Sequence, residues 1–253
     1  ADAEQQDMDE AAYFDFIKHG AADDESFDQE YMCIPADDDS KFIEYELITG
    51  CEYVAGLPWE REVTDTFAGR LFCGVDIGRK KDLTVLWVVE QLGDVLYTRK
   101  VIALERMRKS AQEDIIYPWF AICDRICIDS TGLGIGWADD AQDKFGEHRV
   151  EPVNFSGQVK EALAYPLKGR MEDRALRIPD DQTIRADLRK VQKVTTAAGN
   201  IRFVAEGTQD GHADRFWALA LAIHAASDPA APIEYMSDGP RAIVSESEGF
   251  LNG

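Results

Sequence analysis

Three aspartates stand where an unneutralised carboxylate would be costly. Asp76 interrupts an apolar, strand-like run, Asp129 ends the run RICIDS, and Asp214 lies near the start of an apolar helical stretch. Carboxylates that are buried together repel one another and raise each other's pKa unless cations neutralise them. Oxygen ligands of this kind suit Mg²⁺ or Mn²⁺. The residue types predict a site for two such ions, which activate water and stabilise the leaving oxygen in phosphodiester cleavage.

Each aspartate also has a structural interpretation. Aspartate at the end of a strand is common in turns, and Asp214 has the position of an acidic first-turn residue that the helix macrodipole favours. Their joint placement is more specific. If the strands that carry Asp76 and Asp129 are neighbours and the late helix packs over them, the three carboxyl groups converge.

The strands that must position these aspartates follow one another at short intervals. Residues 71–77, 83–90 and 94–104 are rich in β-branched and aromatic side chains and are separated by short turns, which predicts three consecutive antiparallel strands. Two later runs, 125–130 and 149–155, predict further strands. Residues 201–206 predict an additional strand or hairpin arm.

Helices are predicted between and after these strands from their apolar periodicity. The predicted ranges are 110–122, 134–146, 157–170, 181–194 and 212–227. Pro118 should interrupt the first of them, because proline lacks the amide hydrogen that a helix interior needs. The stretch 212–227 is alanine-rich and apolar around most of its circumference, so we expect it to be buried against the sheet. The order of elements predicts an α/β fold.

Charge and composition divide the chain into three parts. Of the net charge of −21, residues 1–65 carry 20 acidic against 3 basic side chains, and 67–228 hold the strand and helix pattern. We therefore predict an acidic lead-in and linker over 1–66, with a helix across about 40–50, and a folded domain over 67–228. Residues 229–253, rich in Pro, Ser, Gly and acid, predict a flexible tail.

Basic side chains concentrate in one later stretch. Residues 157–203 contain 10 basic and 6 acidic side chains, which predicts a surface that faces DNA phosphate; the alternative is an ordinary solvated helix face. Two further lysines lie on the turn after the first strand. The candidate DNA-binding residues are Lys80, Lys81, Lys160, Lys168, Arg170, Arg174, Arg185, Arg189 and Lys193.

The five cysteines favour reduced core thiols over disulfides, because their number is odd and several lie inside apolar runs. A zinc site is not expected, since Cys123 and Cys127 lack a second cysteine pair. No apolar run approaches the roughly 20 residues that a membrane-spanning helix requires. The composition therefore argues against a membrane protein.

Three motifs in order, GVDIGRKKDLTVLWVV, IDSTGLGIG and DGHADRFWALALA, resemble the nuclease domain of phage large terminase subunits of the Mu-like prophage type, in the ribonuclease H-like superfamily. The resemblance covers about 27–227. It implies a mixed five-stranded central sheet, three antiparallel strands and then two parallel ones, flanked by helices. It also implies a metal-dependent endonuclease that cuts concatemeric viral DNA during genome packaging.

The resemblance implies partners and further site residues. The partners are double-stranded DNA, a portal protein, a small terminase subunit and an ATPase domain that precedes the nuclease, all in the cytoplasm of the bacterial host. Asp82, where the family often places an acid, and Asp210, on the loop before Asp214, are additional candidate metal ligands. No GxxxxGK[ST] phosphate loop occurs, so ATP hydrolysis by that route is not expected of this chain.

Three alternatives stay open at this stage. A resolvase or transposase of the same superfamily would share the fold and prefer branched junctions or defined DNA ends. An actin-like or sugar-kinase protein has a similar first strand, but its glycine-rich phosphate turns are not convincing here. A non-catalytic packaging adaptor would keep the aspartates only as remnants.

Overall fold

The computed structural model describes residues 41–54, 56–78, 83–195, 201–205 and 213–227, together with Ala12, Tyr13 and Phe16. Most of the predicted lead-in lies outside the described residues, as does nearly all of the predicted tail. The same holds for four candidate site residues, namely Lys80, Lys81, Asp82 and Asp210.

A six-stranded mixed sheet forms the centre of the described structure. Its strands are β1 (Arg70–Asp76), β2 (Thr84–Leu92), β3 (Val95–Leu104), β4 (Arg125–Asp129), β5 (Val150–Val153) and β6 (Leu176–Arg177). They lie in the order β5-β4-β1-β2-β3-β6. The pairs β1–β2 and β2–β3 are antiparallel, whereas β1–β4, β4–β5 and β3–β6 are parallel. The predicted α/β fold, with three antiparallel strands followed by two parallel strands, is confirmed.

Helices cover both faces of this sheet. They are α1 (Tyr45–Thr49), α2 (Lys109–Ile122), α3 (Gly134–Phe145), α4 (Gly157–Glu172), α5 (Gln182–Arg189) and α6 (Asp214–Ser227). A separate hairpin consists of β7 (Val191–Thr195) and β8 (Ile201–Ala205). One apolar cluster joins α1, α4, α5 and α6 to one sheet face, and a second joins α2 and α3 to the other.

Two predictions about the elements were wrong. The sheet has six strands rather than five, because β6 adds two residues beside β3, with Leu96 opposite Leu176. A two-residue strand is too short to show alternation in the sequence. The helix predicted over 181–194 ends at Arg189, and the residues after it pair with β8 instead; tertiary pairing outweighs local helix preference there.

Pro118 does not interrupt its helix, contrary to the sequence-based expectation. Helix α2 runs continuously from Lys109 to Ile122 with Pro118 inside it. Ile116, Trp119 and Phe120 on either side of the proline are buried in the core. Their burial offsets the missing amide donor, which costs about 3 kcal/mol in an exposed helix.

Helix α6 packs directly on the backbone of β1. A Cβ atom on Gly74 would lie 2.2 Å from the carbonyl oxygen of Ala218 and 2.3 Å from the amide nitrogen of Ala222. Only a residue without a side chain allows this approach. Ten of the fourteen α6 residues are buried, as the alanine-rich sequence predicted. This contact fixes the start of α6 relative to the end of β1.

Residues before β1 also pack into the same core. Phe42, Ile43 and Ile48 are buried with α6 in one cluster, and isolated bridges join Lys41 to Gln192 and Glu52 to Ile178. Helix α1 falls within the helix predicted over about 40–50. The division of the chain at residue 66 stays a prediction, but residues 41–54 contribute core side chains.

The four described cysteines, Cys51, Cys73, Cys123 and Cys127, are free and buried, which agrees with the expectation of reduced core thiols. Burial raises the pKa of Cys73 and Cys127 well above the ordinary value. Among the described helices none is long and apolar enough to cross a bilayer.

Candidate active site

Asp76 and Asp129 end two neighbouring parallel strands. In the β1–β4 pairing Val75 lies opposite Ile128, so each aspartate occupies the next position of its strand. Side chains alternate along a strand, which places Asp76 on the face of Phe72 and Asp129 on the face of Cys127, the face that α6 covers. The two residues are 8% and 7% exposed. The register therefore brings two largely buried carboxylates together.

Asp214 lies in the first turn of α6 and reaches the edge of the sheet at which β1 and β4 end. Its Oδ2 accepts a hydrogen bond of 3.2 Å from the backbone N–H of Leu83, which directly precedes β2. In that strand Val85 lies opposite Asp76. The positive end of the helix macrodipole favours a carboxylate at this position. Sheet and helix thus bring the three predicted aspartates to one edge of the sheet.

The connection after β4 holds the Asp129 side chain in place. Its Oδ1 accepts a hydrogen bond of 2.8 Å from the backbone N–H of Thr131. The Thr131 hydroxyl in turn accepts from the N–H of Phe155 at 3.0 Å. At Gly134 a Cβ atom would lie 1.8 Å from the carbonyl oxygen of Asp129, so glycine is required for the tight turn into α3.

Among the residues that the structure describes, Lys160 is a basic residue that the fold brings to the aspartates. It lies in the first turns of α4, and its Nζ lies 4.8 Å from the ring centroid of Trp217 and 5.5 Å from that of Phe155. Burial lowers the pKa of Lys160, while the charges of Asp76 and Asp129 act in the opposite direction. The sequence placed this lysine only within a general basic stretch. Its neighbours Trp217 and Asp76 are remote in sequence, so no local pattern indicated its role.

Most of the other predicted DNA-binding residues contact their own chain. Arg185 pairs with Glu52 and Asp180, which raises the pKa of the arginine, and Arg189 is buried. Lys168 donates to Phe42 O and Glu44. Arg170 and Arg174 donate to backbone carbonyls, of Asp94 and of Leu47 respectively. The structure does not gather these residues around the aspartates.

A separate cavity of about 280 Å³ is lined by Lys41, Lys168 and Lys193. The Lys193 ammonium lies 5.5 Å from the Tyr165 ring centroid at this cavity. The cavity lies at the bridge between Lys41 and β7. Phosphate contact by the basic stretch therefore stays a prediction for every residue in it.

The donors at the sheet edge suit hard divalent cations. Asp76, Asp129 and Asp214 offer only carboxylate oxygens, the ligands that Mg²⁺ and Mn²⁺ prefer. Their burial makes neutralisation by bound cations favourable. This chemistry fits the predicted metal site, whose further candidate ligands Asp82 and Asp210 lie outside the described residues.

The mixed sheet, with carboxylates at the ends of its adjacent central strands and a helix packed across them, is a ribonuclease H-like arrangement. Within that class, the family model of the terminase RNaseH-like domain matches residues 73–226. The chain belongs to this family. The predicted resemblance to large terminase nuclease domains is confirmed.

Relatives with curated names agree with this assignment. The large terminase subunit of Thermus virus P23-45 is 29% identical over 187 residues, which cover 70% of this chain and 37% of that protein. The crystal structure of the large terminase nuclease from thermophilic phage G20c has a TM-score of 0.56 and 25% identity, covering 71% of this chain and 97% of that one. The same nuclease with bound magnesium gives a TM-score of 0.56 and 25% identity, covering 70% of this chain and 96% of the other.

Proposed function

We propose that this chain is a divalent-metal-dependent endonuclease that cuts concatemeric viral DNA during genome packaging, as part of a large terminase. The observation that carries the proposal is the parallel register of β1 and β4, which sets the largely buried Asp76 beside Asp129. Asp214 is directed to the same edge by α6. Family membership supports a nuclease role for this arrangement.

Asp76, Asp129 and Asp214 are the residues that would hold two Mg²⁺ or Mn²⁺ ions. Asp76, on the central strand, is the candidate for a shared ligand, with Asp129 and Asp214 each serving mainly one ion. When bound, such ions supply Lewis-acid activation of water and of the phosphate. The magnesium-bound nuclease of phage G20c supports this choice of cation.

Lys160 is suited to hold the DNA backbone beside the aspartates. Its ammonium is positioned by Trp217 and Phe155, and a half-buried cation there attracts a phosphate into a site that otherwise carries negative charge. Contact with phosphate gives no information about base sequence. We therefore expect cutting with little sequence preference and binding that weakens as salt rises.

The same proposal includes the packaging context. The aligned region spans 37% of the length of the curated relative, a large terminase subunit. Because the chain belongs to the terminase family, the proposed partners are double-stranded DNA, an ATPase domain, a portal protein and a small terminase subunit. The proposed location is the cytoplasm of the bacterial host, where concatemeric viral DNA is available.

Plasmid cleavage tests the proposed site. Purified chain is incubated with supercoiled plasmid and Mn²⁺ or Mg²⁺, beside Asp76→Asn and Asp214→Asn. We expect nicked and linear products from the wild type and a loss of at least about a hundredfold in each variant, since each removes a cation ligand. Asp143→Asn is the matched control because Asp143 is an exposed α3 residue.

Isothermal titration with Mn²⁺ accompanies the cleavage assay. The wild type and Asp143→Asn should bind Mn²⁺ equally, and Asp76→Asn should bind it more weakly. Cutting and Mn²⁺ binding that are both unchanged in Asp76→Asn and Asp214→Asn would contradict the proposal.

A further inference from the structure

A second group of potential metal ligands lies at the other end of α6. Cys127 belongs to β4, Glu151 to β5, and His224 to the last turn of α6. Their sulfur, carboxylate oxygen and imidazole nitrogen atoms all lie within 4.8 Å of one another. His224 is ten residues beyond Asp214, or about 15 Å along the helix. On α6 the group therefore lies well away from Asp214, whereas on β4 Cys127 precedes Asp129 by two residues on the same face.

The separations within this group are close to those of a tetrahedral zinc site. His224 Nε2 lies 3.0 Å from Glu151 Oε1, and Cys127 Sγ lies 3.6 Å from Glu151 Oε2. Zinc bonds of about 2.0–2.3 Å at tetrahedral angles place ligand atoms roughly 3.3–3.6 Å apart. The third separation, between the Cys127 sulfur and an imidazole nitrogen of His224, is at most 4.8 Å, so a common ion would require the Glu151 and His224 side chains to rotate towards Cys127.

Charge and access also fit a divalent ion. Binding of the ion would release the thiol proton of Cys127 to solvent, and the resulting thiolate and the Glu151 carboxylate would together offset two positive charges. Arg125 pairs with Glu151 Oε2. The guanidinium can keep that oxygen while Glu151 Oε1 turns to the ion, as outer partners of metal ligands commonly do. Cys127 is fully buried, but the side chains of Glu151 and His224 are 35% and 39% exposed. The group therefore opens to solvent on one side.

We propose that Cys127, Glu151 and His224 bind one Zn²⁺ or a similarly thiophilic divalent ion, with water in the fourth position. The sulfur–nitrogen–oxygen set is softer than the all-oxygen aspartate site and selects a different cation. Such an ion would join β4, β5 and α6, which carry or flank Asp129 and Asp214. The cysteine spacing argued against a zinc site, because Cys123 and Cys127 lack a second cysteine pair. The three ligands proposed here are 24 and 73 residues apart and meet only in the fold.

Cobalt absorption tests the sulfur ligand directly. The full chain carrying Asp76→Asn and Asp129→Asn is titrated with Co²⁺, and a thiolate-to-cobalt charge-transfer band is expected at one ion per chain. His224→Ala on this background should weaken Co²⁺ binding by about tenfold or more, since even loss of an outer partner has that effect. Cys127→Ala should abolish the band.

Matched substitutions control for loss of folding. Cys51→Ala removes another buried free thiol, and His148→Ala removes an exposed imidazole; both should keep the band and the affinity. Zinc retained after dialysis should be one per chain in these controls, reduced in His224→Ala and absent in Cys127→Ala. His224 is half exposed, so its variant should keep the circular dichroism spectrum of the parent. Absence of the charge-transfer band in the parent, or its persistence in Cys127→Ala, would overturn the proposal.

Discussion

Glu90 in β2 and the aspartates at the ends of β1 and β4 are acidic groups of one sheet, but their surroundings differ. Glu90 accepts hydrogen bonds from the backbone of Ala68 and Gly69 at 2.7 and 2.8 Å and from Arg99 at 2.7 Å. Burial alone would raise the pKa of Glu90, yet these donors together hold it below its ordinary value. Donors thus surround a single carboxylate.

At the sheet edge, by contrast, carboxylates are brought towards one another. Asp76 and Asp129 end adjacent strands and act on the same lysine, Lys160, and Asp214 is directed to that edge. Carboxylates that converge in this way repel one another, which costs electrostatic free energy. The fold does not need this arrangement for its stability. Glu90 is thus a carboxylate that stabilises the fold, whereas the three aspartates are proposed to bind cations. Substitutions should therefore affect stability in one region and cutting in the other.

The largest expected effect comes from Asp129→Asn. Removing one ligand charge should lower the cutting rate about a thousandfold, equivalent to roughly 4 kcal/mol of barrier. The free energy of unfolding without metal should stay the same or rise, because repulsion between carboxylates is relieved. Plasmid cleavage and urea unfolding in chelator measure the two quantities. A variant that loses stability as much as activity would remove the contrast with Glu90.

Lys160→Met should have the next largest effect. The methionine keeps apolar packing against Trp217 while removing the charge, so cutting should fall about thirtyfold, or roughly 2 kcal/mol. Mn²⁺ should bind more tightly, because a cation that competes for the aspartates is gone. A merely structural role would weaken both properties together. Lys160→Arg is the control, and it should restore part of the cutting and reverse the gain in Mn²⁺ affinity.

Gly74→Ala tests whether α6 must approach β1 as closely as it does. The added methyl would overlap Ala218 O and Ala222 N, so the free energy of unfolding should fall by up to about 3 kcal/mol. Cutting by the remaining folded protein should also fall, because Asp214 moves with the helix. Gly136→Ala is the control, since a Cβ there meets nothing within 4 Å. Equal stability of the two variants would contradict this account of the α6 contact.

Local patterns in the sequence predicted the central strands and pointed to two of the candidate site residues. Asp76 and Asp129 each interrupt or end an apolar strand, and a buried carboxylate in such a context is conspicuous. Asp214 depended more on resemblance, because an acidic first turn is ordinary in helices. The strands were predictable because alternation and β-branched content are properties of neighbouring residues.

Features that depend on remote contacts were not predictable in this way. Lys160 acquires its position from Trp217, and β6 exists only because β3 offers an edge beside Leu176. The local cost of Pro118 predicts an interrupted helix. The helix is continuous because Trp119 and Phe120 beside the proline are buried in the core. The donors of Glu90 likewise come from residues 68, 69 and 99, so no local pattern indicates its structural role.

Glu90→Gln should have the smallest effect of the four substitutions. Unlike Asp129→Asn, it should lower stability and leave cutting unchanged. Loss of the charged hydrogen bonds should reduce the free energy of unfolding by about 2 kcal/mol at neutral pH, while cutting per folded molecule stays unchanged. Glu62→Gln is the control, because Glu62 pairs with Lys100 at the surface and exposed pairs contribute little.

The difference in the free energy of unfolding between the wild type and Glu90→Gln should depend on pH, because the pKa of Glu90 is lowered in the folded state. A carboxyl group whose pKa is lower in the folded state binds fewer protons there, so its contribution is fully present above the unfolded value of about 4.3. The contribution is lost as the pH falls through the lower folded pKa. Urea unfolding between neutral and acidic pH should therefore show the wild type and Glu90→Gln converging below about pH 4.3. A difference that stays constant down to acid unfolding would mean that the Glu90 charge does not stabilise this region.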